Sequence, residues 1–366
     1  MAAGKEASIS ANPFLNFIVA LLATVSFFSS IAFASSKHTI KVMTVNTENL
    51  YDSSHDQGFF DYTFLPLSHQ DKKEQCETLS SSYYRNLCLN LNWTKKAMKL
   101  RLKQFRKVLQ QTGSLPDVLA VQEVENQYVV DQLAETLGYE NSLATNQDSK
   151  RGIDVGLLWS EKSLHYISAT EVPAPLRSPL RVHFKVKNTQ DNLYVYVNHW
   201  PSQLAPLHFR INSARAVEQD FRKIKKRDPK AQSVVLGDFN VTKEEESEVF
   251  AGFSKGRKAL FTDVHSFIKN KYPKHIDQFP KGTYFHWLKN EWHRFDRIFV
   301  SKNLLRGKKR LRPLTYRIET HRENSLSDKE LSDHPVPLGY NFLMEKETPL
   351  GFSDHFPVSA EIEFKN

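Results

Sequence analysis

From Lys41 to the C-terminus, short runs dense in Val, Ile and aromatic residues alternate with longer stretches whose apolar positions recur every three to four residues. The runs 41–47, 117–124, 153–159, 193–199, 233–240, 294–300 and 355–362 read as strands, mostly closed by polar or Gly positions. Between them, 94–111 aligns Met98, Leu102, Phe105 and Leu109 on one helical face and stops before Gly113. The stretch 126–137 opens on an Asn cap and stops at Gly138. A third helix, 208–226, aligns Ala214, Val217, Phe221 and Ile224. No repeat of fixed period and no linker divides the chain, so one mixed α/β domain is expected. Two stretches fit neither pattern and read as insertions: 53–92, polar, dotted with aromatics and bearing both cysteines, and the loop-like 314–350.

The N-terminus follows a different logic. Lys5 precedes the apolar run 17–28, which ends in Ala32-Phe33-Ala34. A basic start, a short apolar stretch and an Ala-x-Ala ending predict a secretory signal, 1–34, cut near Ala34 and followed by a domain over 35–366. The mature protein is then secreted or periplasmic. No later stretch reaches the ~18–20 apolar residues that span a bilayer, so no membrane span is expected after cleavage. In an oxidising compartment Cys76 and Cys88 can bridge a local loop, with two free structural thiols as the alternative.

Composition narrows the class. Of 366 residues, 40% are hydrophobic, ample apolar surface to offset ordering entropy, which excludes disordered and collagen-like chains. Lys+Arg 50 against Asp+Glu 41 leaves a net charge of +9, whose sign favours anionic partners. Basic residues cluster in 95–107, 222–227 and 302–312. The first two read as solvated helix faces. The third (Lys302, Arg306, Lys308, Lys309, Arg310, Arg312) is expected to flank the functional cleft and hold a polyanion.

The chemistry concentrates where strands end. Asn46 and Glu48 follow one apolar run, Glu123 another, His199 a third, and Asp238 and Asn240 a fourth. Asp354 and His355 introduce the last strand, and Asp296 lies within its own. Strand ends opening into loops are where α/β proteins bind ligands. The donors are carboxylates, carboxamides and imidazoles. Oxygen donors suit a hard cation such as Mg²⁺, while the absence of cysteines and of a His-x-x-x-His pair from the set argues against a zinc hydrolase.

Taken in order, Val45-Asn-Thr-Glu-Asn-Leu50, Val121-Gln-Glu-Val-Glu-Asn126, Arg151-Gly-Ile-Asp-Val155, Val197-Asn-His-Trp-Pro201, Gly237-Asp-Phe-Asn240, Phe295-Asp-Arg-Ile-Phe299 and Ser353-Asp-His-Phe-Pro357 resemble the motifs of the endonuclease/exonuclease/phosphatase superfamily. The likeness is strongest to secreted bacterial members of the deoxyribonuclease I-like kind. It implies a four-layer α/β sandwich, two packed mixed β-sheets flanked by helices, and metal-dependent phosphoester hydrolysis. By motif position, Glu123 resembles the principal metal ligand, with Asn46, Glu48 and Asp354 beside it. Asp238 and Asn240 resemble the pair that orients water and phosphate, His199 the imidazole on the scissile phosphate, and Asp296 with His355 the carboxylate–imidazole pair. Mg²⁺ is the expected ion; Mn²⁺ and an additional structural Ca²⁺ stay open, as does the choice of general base between Asp238 and the His355–Asp296 pair.

Two decoys are set aside. Ser332-Asp-His-Pro335 nearly duplicates the Asp354-His355 motif, but Pro335, Pro337 and Gly339 break any strand after His334. Gly252-Phe-Ser-Lys-Gly256 matches a nucleophile elbow, yet an acidic run rather than a buried strand precedes it. The expected activity is a secreted, monomeric phosphodiesterase, a non-sequence-specific nuclease acting on DNA or RNA. A sphingomyelinase-type phospholipase or an inositol-phosphate phosphatase is the alternative; a lipid enzyme would show an exposed apolar hairpin, for which 59–64 is the candidate.

Overall fold

A computed structural model describes residues 37–147, 151–189, 191–307, 309–328, 332–344 and 349–365; the expected signal segment and Lys308 lie outside them. In chain order the strands are β1 (Lys37–Leu50), β2 (Val118–Val124), β3 (Asn141–Ala144), β4 (Asp154–Trp159), β5 (Leu164–Glu171), β6 (Leu180–Val186), β7 (Asn192–His199), β8 (Gln232–Asp238) and β9 (Phe261–Asp263). There follow β10 (Tyr284–His286), β11 (Glu291–His293), β12 (Asp296–Ser301), β13 (Leu305–Arg306), β14 (Lys309–Ile318), β15 (Ser325–Leu326), β16 (Val336–Pro337) and β17 (Val358–Lys365). The helices used below are α1 (Lys72–Glu77), α2 (Ser82–Asn90), α3 (Lys95–Gln110), α4 (Gln127–Leu137), α5 (Leu207–Arg227) and α6 (Glu246–Val249).

Two sheets dominate, one ordered β13-β14-β17-β1-β2-β4-β3 and the other β5-β6-β7-β8-β12-β9. Among the described residues each contains a single parallel strand pair, β1 with β2 and β7 with β8. A parallel pair needs a crossover, and α3 and α5 supply it.

The layering follows from alternation along the strands, whose side chains point to opposite faces in turn. Ile40 and Val42 of β1, Val118 and Ala120 of β2, Val234 and Leu236 of β8, and Ile298 and Val300 of β12 meet in one core between the sheets. The intervening Met43, Val45, Leu119 and Val121 pack instead against Met98, Leu102 and Phe105 of α3 and Val130 and Leu133 of α4. On the other outer face, Val235 and Phe299 meet Val217 and Phe221 of α5. The result is the expected helix–sheet–sheet–helix sandwich. Truncating a fully buried side chain in any layer, such as Leu119 or Leu236 to Ala, should cost about 2–5 kcal/mol.

The predicted limits of α3 and α4 hold because their caps are made. Thr94 accepts from the Ala97 N–H at 3.2 Å and Asn126 from the Val129 N–H at 3.0 Å, while Gly138 ends α4 at φ +87°. In the 53–92 insertion, Cys76 of α1 and Cys88 of α2 are joined by a disulfide.

Three expectations change. The loop-like reading of 314–350 fails at its start, because residues through Ile318 belong to β14, an inner strand on β17. Pro313 concealed it; a register shift between Arg312 and Arg317 accommodates that proline. The 302–312 basic cluster does not flank the strand ends that carry the chemistry. Arg310 lies opposite Glu363 near the far end of β17, and Lys309 pairs with Asp191, which precedes β7, whereas His199 closes β7 at the other end. The aromatic segment 59–64 is no exposed hairpin: Phe64 is buried and stacked on Tyr51 at 4.2 Å.

Candidate active site

The strand-end residues are brought together by strand register. Parallel pairing of β7 with β8 sets His199 opposite Asp238, and antiparallel pairing of β8 with β12 sets Asp238 opposite Asp296. On the facing sheet, β1 and β2 place Asn46 opposite Gln122, one residue before Glu123. The Asn46 amide nitrogen then bridges the sheets, donating to Glu123 Oε1 at 3.3 Å and to Asp238 Oδ2 at 3.1 Å. His199 Nε2 is 3.7 Å from both carboxylates.

The backbone is bent to aim these groups. Glu48, Asn49, Glu123 and Asn240 all have φ between +50° and +61°, which L-residues rarely adopt. The ladder between β1 and β2 shifts register between Asn46 and Leu50, and that between β2 and β4 shifts between Gln122 and Val124. Irregularities of this kind re-aim a side chain at a sheet rim and persist only when surrounding contacts enforce them. Gly237, at φ +138°, permits the close passage of β8 against β7, since a Cβ there would sit 2.0 Å from the Asn198 carbonyl oxygen.

Hydrogen bonds hold each acid in place. Asp238 Oδ1 accepts from the Asn240 N–H at 2.8 Å, and its Oδ2 also takes the Asn240 amide at 3.2 Å. Burial pushes the Asp238 carboxyl up to about 7; the His355 charge opposes that rise and Asp296 adds to it. His355 Nδ1 lies 2.7 Å from Asp296 Oδ2, and Asp296 is fully buried. Burial works against a charged imidazole, but Asp296 and then Asp354 outweigh it and hold His355 protonated well above the usual histidine range. Tyr284 packs its ring at 5.0 Å from the same imidazole. His199 is the opposite case. Burial, reinforced by Arg177, holds it well below the usual range and therefore neutral.

Glu48 and Asp354 sit at the edge of this group. Glu48 Oε2 accepts the N–H groups of Tyr340 at 2.7 Å and Asp354 at 3.1 Å, tying the β1 end to two C-terminal loops. Asp354 Oδ1 is 4.0 Å from His355 Nε2, with a partly exposed side chain.

Three arginines join the group without a signal in the sequence that assigns them to it. Arg177, in the loop before β6, places Nη1 2.6 Å from His199 Nε2. Arg151 donates to the Asn49 side chain at 2.8 Å. Arg101 of α3 is completely buried and donates to the carbonyls of Thr47 and Phe352, joining the two segments that carry Asn46 and His355. Arg151 opens a motif quoted above; nothing in local pattern marks the other two. Both decoys fall outside the cluster. His334 donates its backbone N–H to Ser332 Oγ at 3.2 Å in a separate turn, and Ser254 follows the short helix α6 rather than a strand.

The donor set fits a hard cation. Among the described residues no three His, Cys, Asp or Glu side chains form a preorganised cage. Mg²⁺ does not need one, because it binds through one or two carboxylates and completes its shell with water and substrate phosphate. Glu123, whose side chain is about one-fifth exposed, and the more exposed Asp354 are the acids of the group open to solvent. Asn46 faces it with nitrogen while its Oδ1 accepts the Glu48 N–H at 3.0 Å, so a ligating role requires the amide to turn over.

Residues 41–364 match the model of the endonuclease/exonuclease/phosphatase family. The chain belongs to this family. Its members are phosphoester hydrolases that generally depend on divalent metal ions. The fold is that of an endonuclease/exonuclease/phosphatase family protein from Bacteroides thetaiotaomicron, with TM-score 0.52 at 15% identity, covering 90% of this chain and 99% of that one. A mannosyl-6-phosphatase from the same organism gives 0.51 at 16% identity over 88% and 99%. Truncated TDP2 of Caenorhabditis elegans gives 0.50 at 15% over 88% and 97%. No curated sequence matches the chain. Membership accounts for the joint appearance of the seven motifs; at these identities the solved structures speak to the fold alone.

Proposed function

We propose that this protein is a secreted, Mg²⁺-dependent phosphodiesterase, a nuclease that hydrolyses DNA or RNA without sequence preference. The observation that carries the reading is the convergence of Glu123, Asp238, His199 and the His355–Asp296 pair from five separate strand ends. A phosphodiester resists water because its charge repels nucleophiles and the transition state gathers more negative charge. A divalent ion held at Glu123, with Asn46 and Asp354 beside it, would supply Lewis-acid stabilisation of that charge. Asp238, braced by two amides, orients the attacking water and accepts its proton. His355, kept cationic by Asp296, offers its Nε2–H to a phosphoryl or departing oxygen. Arg177, which donates to the Nε2 of neutral His199, and Arg151 supply cationic donors alongside the phosphate, while Asn240 braces Asp238. The overall positive charge favours a polyanionic substrate. The N-terminal pattern and the Cys76–Cys88 disulfide support export to an oxidising compartment.

A second reading has its own observation. The β10–β11 hairpin, whose Tyr284 packs on His355, exposes Trp287 and Leu288 at its tip, Leu288 by 96%. An apolar tip beside a phosphoesterase site suits a sphingomyelinase-type enzyme docking on lipid. The test is to incubate the purified protein with plasmid DNA, RNA, sphingomyelin vesicles and an inositol phosphate, each with and without EDTA. Chelator-sensitive nicking of nucleic acid is expected; headgroup release without nicking would transfer the assignment to lipid.

A further inference from the structure

The basic residues of 222–230 and 302–306, far apart in sequence, are gathered at the end of the sandwich opposite the active site. β7 and β8 run parallel and start there, whereas His199 and Asp238 close them at the other end. β12, antiparallel to β8, finishes beside that start, where the Ser233 N–H donates to Ser301 Oγ at 2.9 Å. The chain then turns, and Asn303 Nδ2 donates to the carbonyls of Lys230 at 3.3 Å and Ala231 at 3.0 Å, next to the last turn of α5. Lys223, Lys226, Arg227, Lys230, Lys302 and Arg306 are all exposed.

Among the described residues none of these cations forms an ion pair, and the neighbouring acids are engaged elsewhere. Glu218 holds Arg222 at 2.5 Å, and Asp191 holds Lys309. Asp228 accepts the Asn192 amide at 2.8 Å and the Lys230 N–H at 3.0 Å. The helix macrodipole favours cations in the last turn of α5, which accounts for Lys226 and Arg227. It does not account for Lys302 and Arg306, which follow β12. Nor does it account for Lys223, whose like charge four residues before Arg227 disfavours the helix. Uncompensated cations drawn from separate segments to one end create a local positive field.

We infer that this end is a docking surface for an anionic lipid bilayer, held by charge alone while the catalytic end faces away. A bilayer presents a continuous layer of anionic headgroups, and basic residues gain from it charge by charge. Two observations favour it over nucleic acid. Among the described residues no large aromatic or aliphatic side chain is exposed in 222–231 or 302–306, so the platform on which single-stranded bases stack is missing. The start of β8 also lies about 20 Å from Asp238 at the rise of an extended strand, and a duplex, stiff over about 150 bp, does not turn back from one end of the sandwich to the other. The inference holds whichever ester the active site cleaves.

The test is co-sedimentation of the full chain with phosphatidylcholine vesicles, with and without about 30% phosphatidylglycerol to make the surface strongly negative. Comparison with pure phosphatidylcholine removes any contribution of the apolar run 17–28. The anionic vesicles should be bound at least about a hundredfold more tightly, and the gain should disappear at high salt. The triple variant Lys226→Gln, Lys302→Gln, Arg306→Gln should lose at least about tenfold of that affinity. Lys96→Gln, Lys99→Gln, Lys103→Gln together remove the same charge from exposed positions of α3 and should cost less than about threefold. Equal binding to both vesicle types, or equal losses in the two variants, would overturn the inference. So would a short DNA duplex in EDTA that is retained through Lys226, Lys302 and Arg306 by a protein that ignores the vesicles.

Discussion

Asp238 and Asp296 stand directly opposite one another on the antiparallel strands β8 and β12, two buried carboxylates sharing one sheet face. Like charges so placed repel. The arrangement holds because His355 lies 2.7 Å from Asp296 while Asn46 and Asn240 donate to Asp238. Asp296→Asn should therefore separate activity from stability. Removing the charge that keeps His355 cationic should lower kcat about 10²- to 10⁴-fold with KM little changed, while the lost partner of the buried imidazole, offset in part by relief of repulsion on Asp238, costs only about 1–3 kcal/mol of stability. Turnover of a chromogenic phosphodiester and a melting curve on the same sample check both halves; a large loss of stability would mean the carboxylate is chiefly structural.

The duplicated Asp-His motif gives a paired comparison. His355→Ala should abolish hydrolysis, to about 10²-fold or more below wild type. His334→Ala, in a turn with no bond to the candidate cluster, should stay within about twofold, as substitutions away from such features usually do. Initial rates under identical metal conditions decide it, and equal losses would reject the assignment of His355.

Arg101 touches no reacting group but fastens Thr47 to Phe352 across the floor of the site. In Arg101→Met both carbonyls lose a charged donor, which should cost about 3 kcal/mol of stability. Misplacing the flanking Asn46 and His355 should lower kcat about tenfold to a hundredfold. Partial recovery in Arg101→Lys, in both melting temperature and rate, distinguishes a positioning role from simple loss of fold.

Beneath β12, Asp263 receives Arg294 at 2.9 and 3.1 Å and Arg297 at 3.2 Å. Burial alone would raise its pKa, but the two guanidinium groups outweigh that and hold the carboxyl well below the usual range. A carboxylate depressed by folding stabilises the native state above its unfolded pKa, and that stabilisation is lost as pH falls through about 4 toward the folded value. Asp263→Asn leaves both arginines underpaired and should cost about 3–5 kcal/mol at pH 7. Denaturant titrations should show the gap between variant and wild type narrowing steadily from pH 5 to pH 2.5, and a gap independent of pH would remove the ion-pair explanation.

Much of the site was legible before any fold was known. A run of alternating or β-branched residues that stops at Glu123, His199 or Asp238 is a local signal, because strand periodicity and strand ends are written in a few consecutive residues. Other features could not be read locally. Arg177 sits in a Pro-flanked loop and meets His199 only because β6 and β7 pair, and Arg101 looks like one more cation on a basic helix until α3 packs across β1. The basic cluster at 302–312 misled for the same reason. Sequence proximity to Asp296 implied the cleft, whereas the antiparallel register of β14 on β17 carries the charges to the far end.

The amino-acid sequence by itself determined which chemistry the chain holds, because acids, amides and imidazoles at strand ends are a property of short segments. Only the tertiary structure decided which of them meet and which arginines join them. The physical reason is that strand order and register bring together residues as far apart as Asn46 and Asp238, and no local pattern encodes that distance.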